Sequence, residues 1–236
     1  MPTTFSEIQK RVRRKADART ASQLRRFFKT GPDQYAENDV FLGIRVPDLR
    51  RLANFFSDVP AAVFPRLLAS PYHEERMLAL LLMIRRFECG DDQIRETIFH
   101  LYLGHTDRIN NWDLVDVSAP PIVGAYLHNR DKAPVYDLAR SLLLWDRRIS
   151  IVSTFHDIRR RHFDTALTVS EMLMADAEDL IHKAAGWMLR EIGKRDGSVL
   201  ERFLSRHYRK MPRTMLRYAI EKFPQDRRQA YLEGRM

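Results

Sequence analysis

One cysteine, Cys89, stands in 236 residues. A lone thiol excludes an internal disulfide and a cysteine-based zinc site, and it fits a reducing, cytoplasmic setting. Cys89 itself reads as a buried apolar residue. Glycine (9) and proline (11) are scarce; folds of many short strands need many turn residues, so the shortage favours long helices. No apolar run approaches the ~20 residues of a membrane-spanning helix. Residues Met1 to Lys15 are polar and basic, unlike a secretory signal. The eight histidines are scattered, with no His-Glu-x-x-His and no paired ligand spacing, so no metal site is expected. A glycine-rich phosphate loop is missing as well, which disfavours a nucleotide hydrolase, and no motif calls for a cofactor.

What is present is charge of one kind. Lys and Arg number 40 against 31 Asp and Glu, a net charge of +9, and 32 of the 40 are arginine. A guanidinium is planar, weakly hydrated and able to grip a phosphate with two hydrogen bonds. The composition therefore suggests a polyanion partner, nucleic acid foremost. A GC-rich genome produces the same arginine bias, so charge alone leaves the partner open. Apolar residues at 44% and charged residues at 30% describe a globular chain able to bury a core.

Helical periodicity runs nearly end to end. Met77, Leu78, Leu80, Leu81, Leu82 and Ile84 form an apolar helix centre. Leu138, Leu142 and Leu143 have the spacing of a helix face, and Leu180, Ala184, Met188 and Ile192 advance in strict steps of four. Breaks at Gly31-Pro32, Pro47, Pro60, Ser70-Pro71, Gly90, Gly104, Pro134, Gly197 and Pro212 divide the chain into helices of about 10 to 18 residues. On the second helix of successive pairs, basic residues recur at Arg148, Lys183 and Arg217, 35 and 34 residues apart. One more step back from Arg148 reaches Asp113. A period in the thirties with two helices per unit is the mark of an α-solenoid, and HEAT-like pairs fit better than tetratricopeptide or ankyrin repeats, whose signatures are missing. The expectation is one all-α domain over residues 1–236, a solenoid whose second helices line a concave basic groove. Such a groove needs no second subunit, so a monomer is expected.

The segment from Asn110 to Asp116 carries the most chemistry. Helical spacing sets Trp112 and Asp116 on one face with Asp113 beside them. One period on stands Trp145-Asp146-Arg147-Arg148; two periods on, Lys183 and Trp187 are again four apart. A shared groove would offer one carboxylate, two indoles and the cations Arg148, Lys183 and Arg217, suited to sugar faces and phosphates. Plainer readings stand beside this. An indole at helical spacing is equally at home in a core. Asp116 could cap a helix opened by Pro120, and Arg148 or the run Arg159 to Arg161 could be solvated charges.

At these residues the chain resembles the bacterial DNA alkylation repair enzymes, the AlkD family of HEAT-like-repeat DNA glycosylases. The matching segments are 41–47 (FLGIRVP), 112–116 (WDLVD), 145–148 (WDRR), 181–191 (IHKAAGWMLRE) and 212–222 (PRTMLRYAIEK). The resemblance implies excision, from duplex DNA and without a cofactor, of purines made cationic by alkylation, chiefly 3-methyladenine and 7-methylguanine. It makes Asp116 the catalytic carboxylate and Trp112 and Trp187 the indoles flanking the lesion's deoxyribose. Arg148 then lies near the phosphate, and Tyr35 supplies a further contact after a one-residue slip. Where the family carries a second tryptophan ahead of the motif indole, this chain has Asn111, so different backbone packing is expected there. The resemblance also implies action without swinging the lesion into a pocket.

Overall fold

Helix starts are written into the sequence at particular residues. Thr4 and Glu7 form a reciprocal capping box, and the carboxylates of Asp17, Asp91 and Asp196 each accept a backbone N–H of the helix they open. Pro47 and Pro134 sit in first turns, where no N–H is required. The computed structural model describes residues 4–32, 34–37, 39–56 and 59–236; Met1 to Thr3 of the basic amino-terminal stretch lie outside them. Among the described residues the fold is all-α. No strand forms, and extended pairing is limited to one bridge between Val40 and Tyr72. No described helix is long and apolar enough to cross a membrane.

The chain divides into two units, Met1–Ser118 and Ala119–Met236. The first contains α1 (Phe5–Arg13), α2 (Ala18–Phe27), α3 (Val46–Phe55), α4 (Val63–Leu68), α5 (His73–Cys89), α6 (Asp92–Leu103) and α7 (Trp112–Ala119, ending at the division). Its centre is α5, buried on all sides from His73 to Met83, with α3, α4 and α6 packed on it. A helix apolar all round belongs inside, as its sequence requires.

The second unit begins with a π-helical turn, Pro120–Gly124, and continues through α8 (Ala125–Leu127), α9 (Ala133–Ala139), α10 (Leu144–Ser153), α11 (Phe155–Ile158), α12 (Asp164–Met172), α13 (Asp179–Gly193), α14 (Gly197–His207), α15 (Arg213–Ala219) and α16 (Gln225–Leu232). Here α9 pairs with α10, α12 with α13, and α13 packs on α10, α14 and α15. Arg148, Lys183 and Arg217, 35 and 34 residues apart, fall on α10, α13 and α15. The step-of-four residues Ala184, Met188 and Ile192 are buried on α13.

Several local expectations give way. Leu138, Leu142 and Leu143 share no helix face: α9 stops at Ala139, and Leu142 is 98% exposed. The Ser141 hydroxyl accepts the Leu143 N–H and donates to Asp146, while Arg147 donates to the carbonyls of Ser141 and Leu142, so local polar bonds close a turn there. Cys89 is exposed, because it ends α5 after the apolar run has stopped. Ala119 is helical (φ −62°, ψ −45°), so Pro120 opens no new helix for Asp116 to cap. Helices also run shorter than expected, down to three residues in α8, since π and 3₁₀ turns interrupt the pattern.

Glycine permits a close approach of two helices in the second unit. A methyl group on Gly186 of α13 would lie 2.5 Å from the Met215 carbonyl and 2.5 Å from the Tyr218 Cβ on α15. Gly186→Ala should therefore destabilise the protein by about 1–3 kcal/mol through overpacking, although the same change in an open helix stabilises by about 1 kcal/mol. Urea denaturation reads the sign; a more stable variant would show that the two helices are not in this contact.

Candidate functional site

Four charged side chains in succession, His73, Glu74, Glu75 and Arg76, begin the buried helix α5, none more than 4% exposed. Each must find a partner or leave an uncompensated charge indoors. The Glu74 carboxylate accepts the backbone N–H groups of Leu42 (2.8 Å), Gly43 (2.7 Å) and Ile44 (3.1 Å). Gly43 has φ +85°, and a Cβ there would strike the Asp17 carbonyl at 2.0 Å, so glycine is required in that loop. Glu75 takes Arg13, Gln9 and the Ser70 hydroxyl. Arg76 pairs with the buried carboxylate of Asp39 and with the Ser70 carbonyl.

His73 joins this cluster to α7. Its Nδ1 lies 3.1 Å from Asp39 and its Nε2 2.9 Å from Asp113. Burial alone would depress the imidazole, but the charge and hydrogen bond of Asp113, together with those of Asp39, outweigh it and raise the pKa to about 9. At neutral pH the ring is an imidazolium donating to both carboxylates. Burial likewise pushes Asp39 up, yet the hydrogen bonds from His73 and Asn111 and the charge of Arg76 hold it below the usual carboxylate value. Asn111, the departure from the family pattern, is fully buried: its amide donates to Asp39 (2.8 Å) and its carbonyl oxygen accepts the Trp112 N–H (2.8 Å).

This bracing sets Trp112 at the head of α7. The half-buried indole lies against Phe28 at 5.4 Å and 24°, with Phe27 edge-on at 5.9 Å, and its Nε1 donates to the Tyr35 hydroxyl at 3.2 Å. Phe28 stacks in turn on Phe41 (5.1 Å, 20°), and Phe41 on the His73 ring (4.8 Å, 27°). Beside the stack opens a cavity of about 580 Å³, lined by Phe27, Phe28, Phe41, Ile44, Trp112 and Asp113 among others. Asp116, also partly exposed, follows one turn after Trp112 on α7. Trp112, Asp113, Asp116 and Tyr35 thus all belong to the first unit, and the structure ties Tyr35 to the indole itself.

In the second unit Trp187 and Lys183 lie one turn apart on α13. The Trp187 ring centroid is 5.7 Å from that of Phe155, and the Lys183 ammonium pairs with Asp179 at 2.7 Å. That bond keeps Asp179 below its ordinary value. Arg217 on α15 is exposed. Arg148 is only 6% exposed and donates to the Leu180 carbonyl at 2.9 Å, so it is no solvated surface charge. The run Arg159 to Arg161 is an exposed helix end.

Sequence reading passed over the cluster at 73–76 and its partner Asp39. The usable signal was position: charges that open a helix apolar on every side are carried indoors with it. Spacing also concealed a group able to hold a metal ion, His128, His156 and Asp157, whose ligand atoms lie within 4.8 Å of one another. Burial, reinforced by Arg160, pulls His156 down to about 4. The Lys132 ammonium already sits 2.9 Å from Asp157, so a cation would have to displace it.

The imidazolium bridge has a pH signature. Because the folded-state pKa of His73 exceeds the ordinary value of about 6.5, its stabilisation is complete below that value and is lost as pH rises through about 9. Stability should fall by roughly 2–3 kcal/mol from this source between pH 7 and pH 9.5. An NMR titration should find the His73 ring protonated at pH 7.5; a neutral ring at that pH contradicts the bridge.

The family model described as DNA alkylation repair enzyme matches residues 8–223. No curated protein sequence matches the chain. Among solved structures, the fold is similar to a predicted DNA alkylation repair enzyme from Enterococcus faecalis, with a TM-score of 0.68 and 15% identity over 89% of this chain and 97% of that one. At that identity the likeness speaks for the fold. The sequence match, which extends across both units, shows that the chain belongs to the DNA alkylation repair enzyme family.

Proposed function

We propose that the protein is a monofunctional DNA glycosylase that hydrolyses the N-glycosidic bond of cationic alkylated purines, 3-methyladenine and 7-methylguanine, in duplex DNA. The observation that carries this reading is the anchored start of α7, which offers Trp112 and Asp116 one turn apart on a partly exposed face. An alkylated purine with a formal positive charge is already a good leaving group, so no strong general acid is needed. The barrier lies in the sugar, which becomes oxocarbenium-like as the bond breaks. A carboxylate directed at that carbon stabilises the growing charge and orients the attacking water. Asp116 takes this role. The indoles of Trp112 and Trp187 flank the deoxyribose, and each face adds about 0.5–2 kcal/mol of cation–π attraction.

The repeat register supports the rest of the proposal. Arg148, Lys183 and Arg217 contact the DNA backbone along a solenoid groove, while Asp113 and Tyr35 hold the Trp112 end of the site. The protein acts as a monomer and needs no cofactor. Its net charge of +9 favours encounter with DNA.

Two outcomes are expected. Asp116→Asn largely abolishes release of 7-methylguanine from methylated duplex DNA while DNA affinity stays within a few-fold; equal release by mutant and parent would remove Asp116 from the chemistry. Arg217→Ala weakens DNA binding and reduces the slope of log K against log salt by about 0.9, the contribution of one phosphate contact. An unchanged slope would strike Arg217 from the interface.

A further inference from the structure

Three histidine rings gather in the second unit, at a place the glycosidic chemistry does not use. His128 follows the last residue of α8, His156 lies within α11, and His162 stands in the turn after α11. Arg161 in that turn has φ +66°, a left-handed conformation that turns the chain sharply just before His162. The His128 ring centre is 5.3 Å from that of His156 and 5.5 Å from that of His162, with the planes inclined at 61° and 66°. Two imidazoles on one tetrahedral zinc ion, at Zn–N distances of about 2.0–2.1 Å, hold their ring centres about 5 Å apart. Both separations are therefore close to those of rings sharing an ion.

The orientation of His128 says on which side an ion would lie. Its Nδ1 donates to Oδ1 of Asp157 at 2.5 Å, which leaves the lone pair on Nε2, at the far side of the ring. A carboxylate in that position fixes the ring and makes it a more basic ligand. The other oxygen of Asp157, a side chain only 9% exposed, takes the Lys132 ammonium at 2.9 Å, and that ammonium also bonds the Leu127 and His128 carbonyls. A cation placed on Asp157 would have to expel Lys132. A cation on the Nε2 side of His128 leaves both Lys132 and Asp157 as they are. Among the described residues, no hydrogen bond engages the ring nitrogens of His156 or His162, so both remain open to a ligand. Imidazoles without carboxylate or thiolate suit zinc and its neighbours in the first transition row, and not magnesium or calcium.

We propose that His128, His156 and His162 form a zinc site, with Asp157 orienting His128 from behind. The bound ion ties α8 to α11 and to the turn that follows it. It takes no part in base release, so the proposal stands apart from the glycosylase reading. Sequence spacing gave no sign of it, because the three residues reach one another through turns and not along one helix face.

The intact protein, without a histidine tag and stripped with EDTA, is titrated with zinc chloride and followed by calorimetry and by melting temperature. One equivalent is expected to bind and to raise the melting temperature, and EDTA should reverse the rise. His162→Ala changes an exposed ring and spares the fold; it should weaken zinc binding by at least about tenfold, the least that losing a supporting partner costs such sites. His156→Ala should do the same, and His100→Ala, in the first unit, should change nothing. Cobalt(II) in place of zinc should give the visible absorption of a tetrahedral nitrogen-ligated ion, lost in His162→Ala. No saturable uptake of either ion overturns the proposal, as does uptake indifferent to His162→Ala. Release of 7-methylguanine is measured with and without EDTA. Release abolished by the chelator would overturn the purely structural role of the ion, whereas release absent under both conditions counts against the glycosylase reading alone.

Discussion

An imidazolium held between two carboxylates, Asp39 and Asp113, fastens the head of α7 to the first turn of α5. The rest of the first unit's site depends on it. Burying such a set is not in itself a source of stability, because desolvation of each ion cancels much of the attraction. Removing one member is another matter, since it strands the others without compensation at a typical cost of 3–5 kcal/mol. The cluster therefore acts as a geometric constraint. With Arg76 and Asn111 also on Asp39, the loop before α5, the helix itself and α7 can meet in only one register. Trp112 inherits that register through its N–H bond to Asn111 and through the ring stack that ends on His73.

Electrostatics works on two scales in this molecule. Over the whole chain, arginine gives a positive protein suited to approach a polyanion. Around α7, Asp113 and Asp116 place partly exposed carboxylates beside this positive charge. In the proposed reaction the second feature meets a sugar and a base that both carry positive charge at the transition state. In that proposal, long-range attraction brings DNA to the surface and short-range attraction selects the reacting atoms. A uniformly basic surface would supply only the first.

The helical class was legible because two signals agreed: few turn residues overall, and apolar residues at helical spacing in stretches such as 77–84. Arg148, Lys183 and Arg217 each fall on a helix of the second unit, as their surroundings in the sequence suggest. Local polar competition was not legible. Ser141 and Asp146 close a turn that apolar spacing at Leu138 and Leu142 could not reveal. Of the site, the pair Trp112 and Asp116 was readable from a four-residue step, while its support was hidden. Asp39 and Asn111 lie 72 positions apart, and nothing local in either sequence context announces the other. Arg148 shows the limit of reading a charge by type, because a residue that could have been a solvated charge is largely buried and held by the Leu180 carbonyl.

The most direct test of the central claim is chemical identification of what the protein releases. Purified protein is incubated with duplex DNA methylated by a simple alkylating agent, and the small molecules set free are identified by mass. Enzymatic release of 3-methyladenine and 7-methylguanine, in excess of spontaneous loss and leaving abasic sites with the strand unbroken, is the expected result. DNA that is bound tightly but yields no base above the spontaneous rate would contradict the claim.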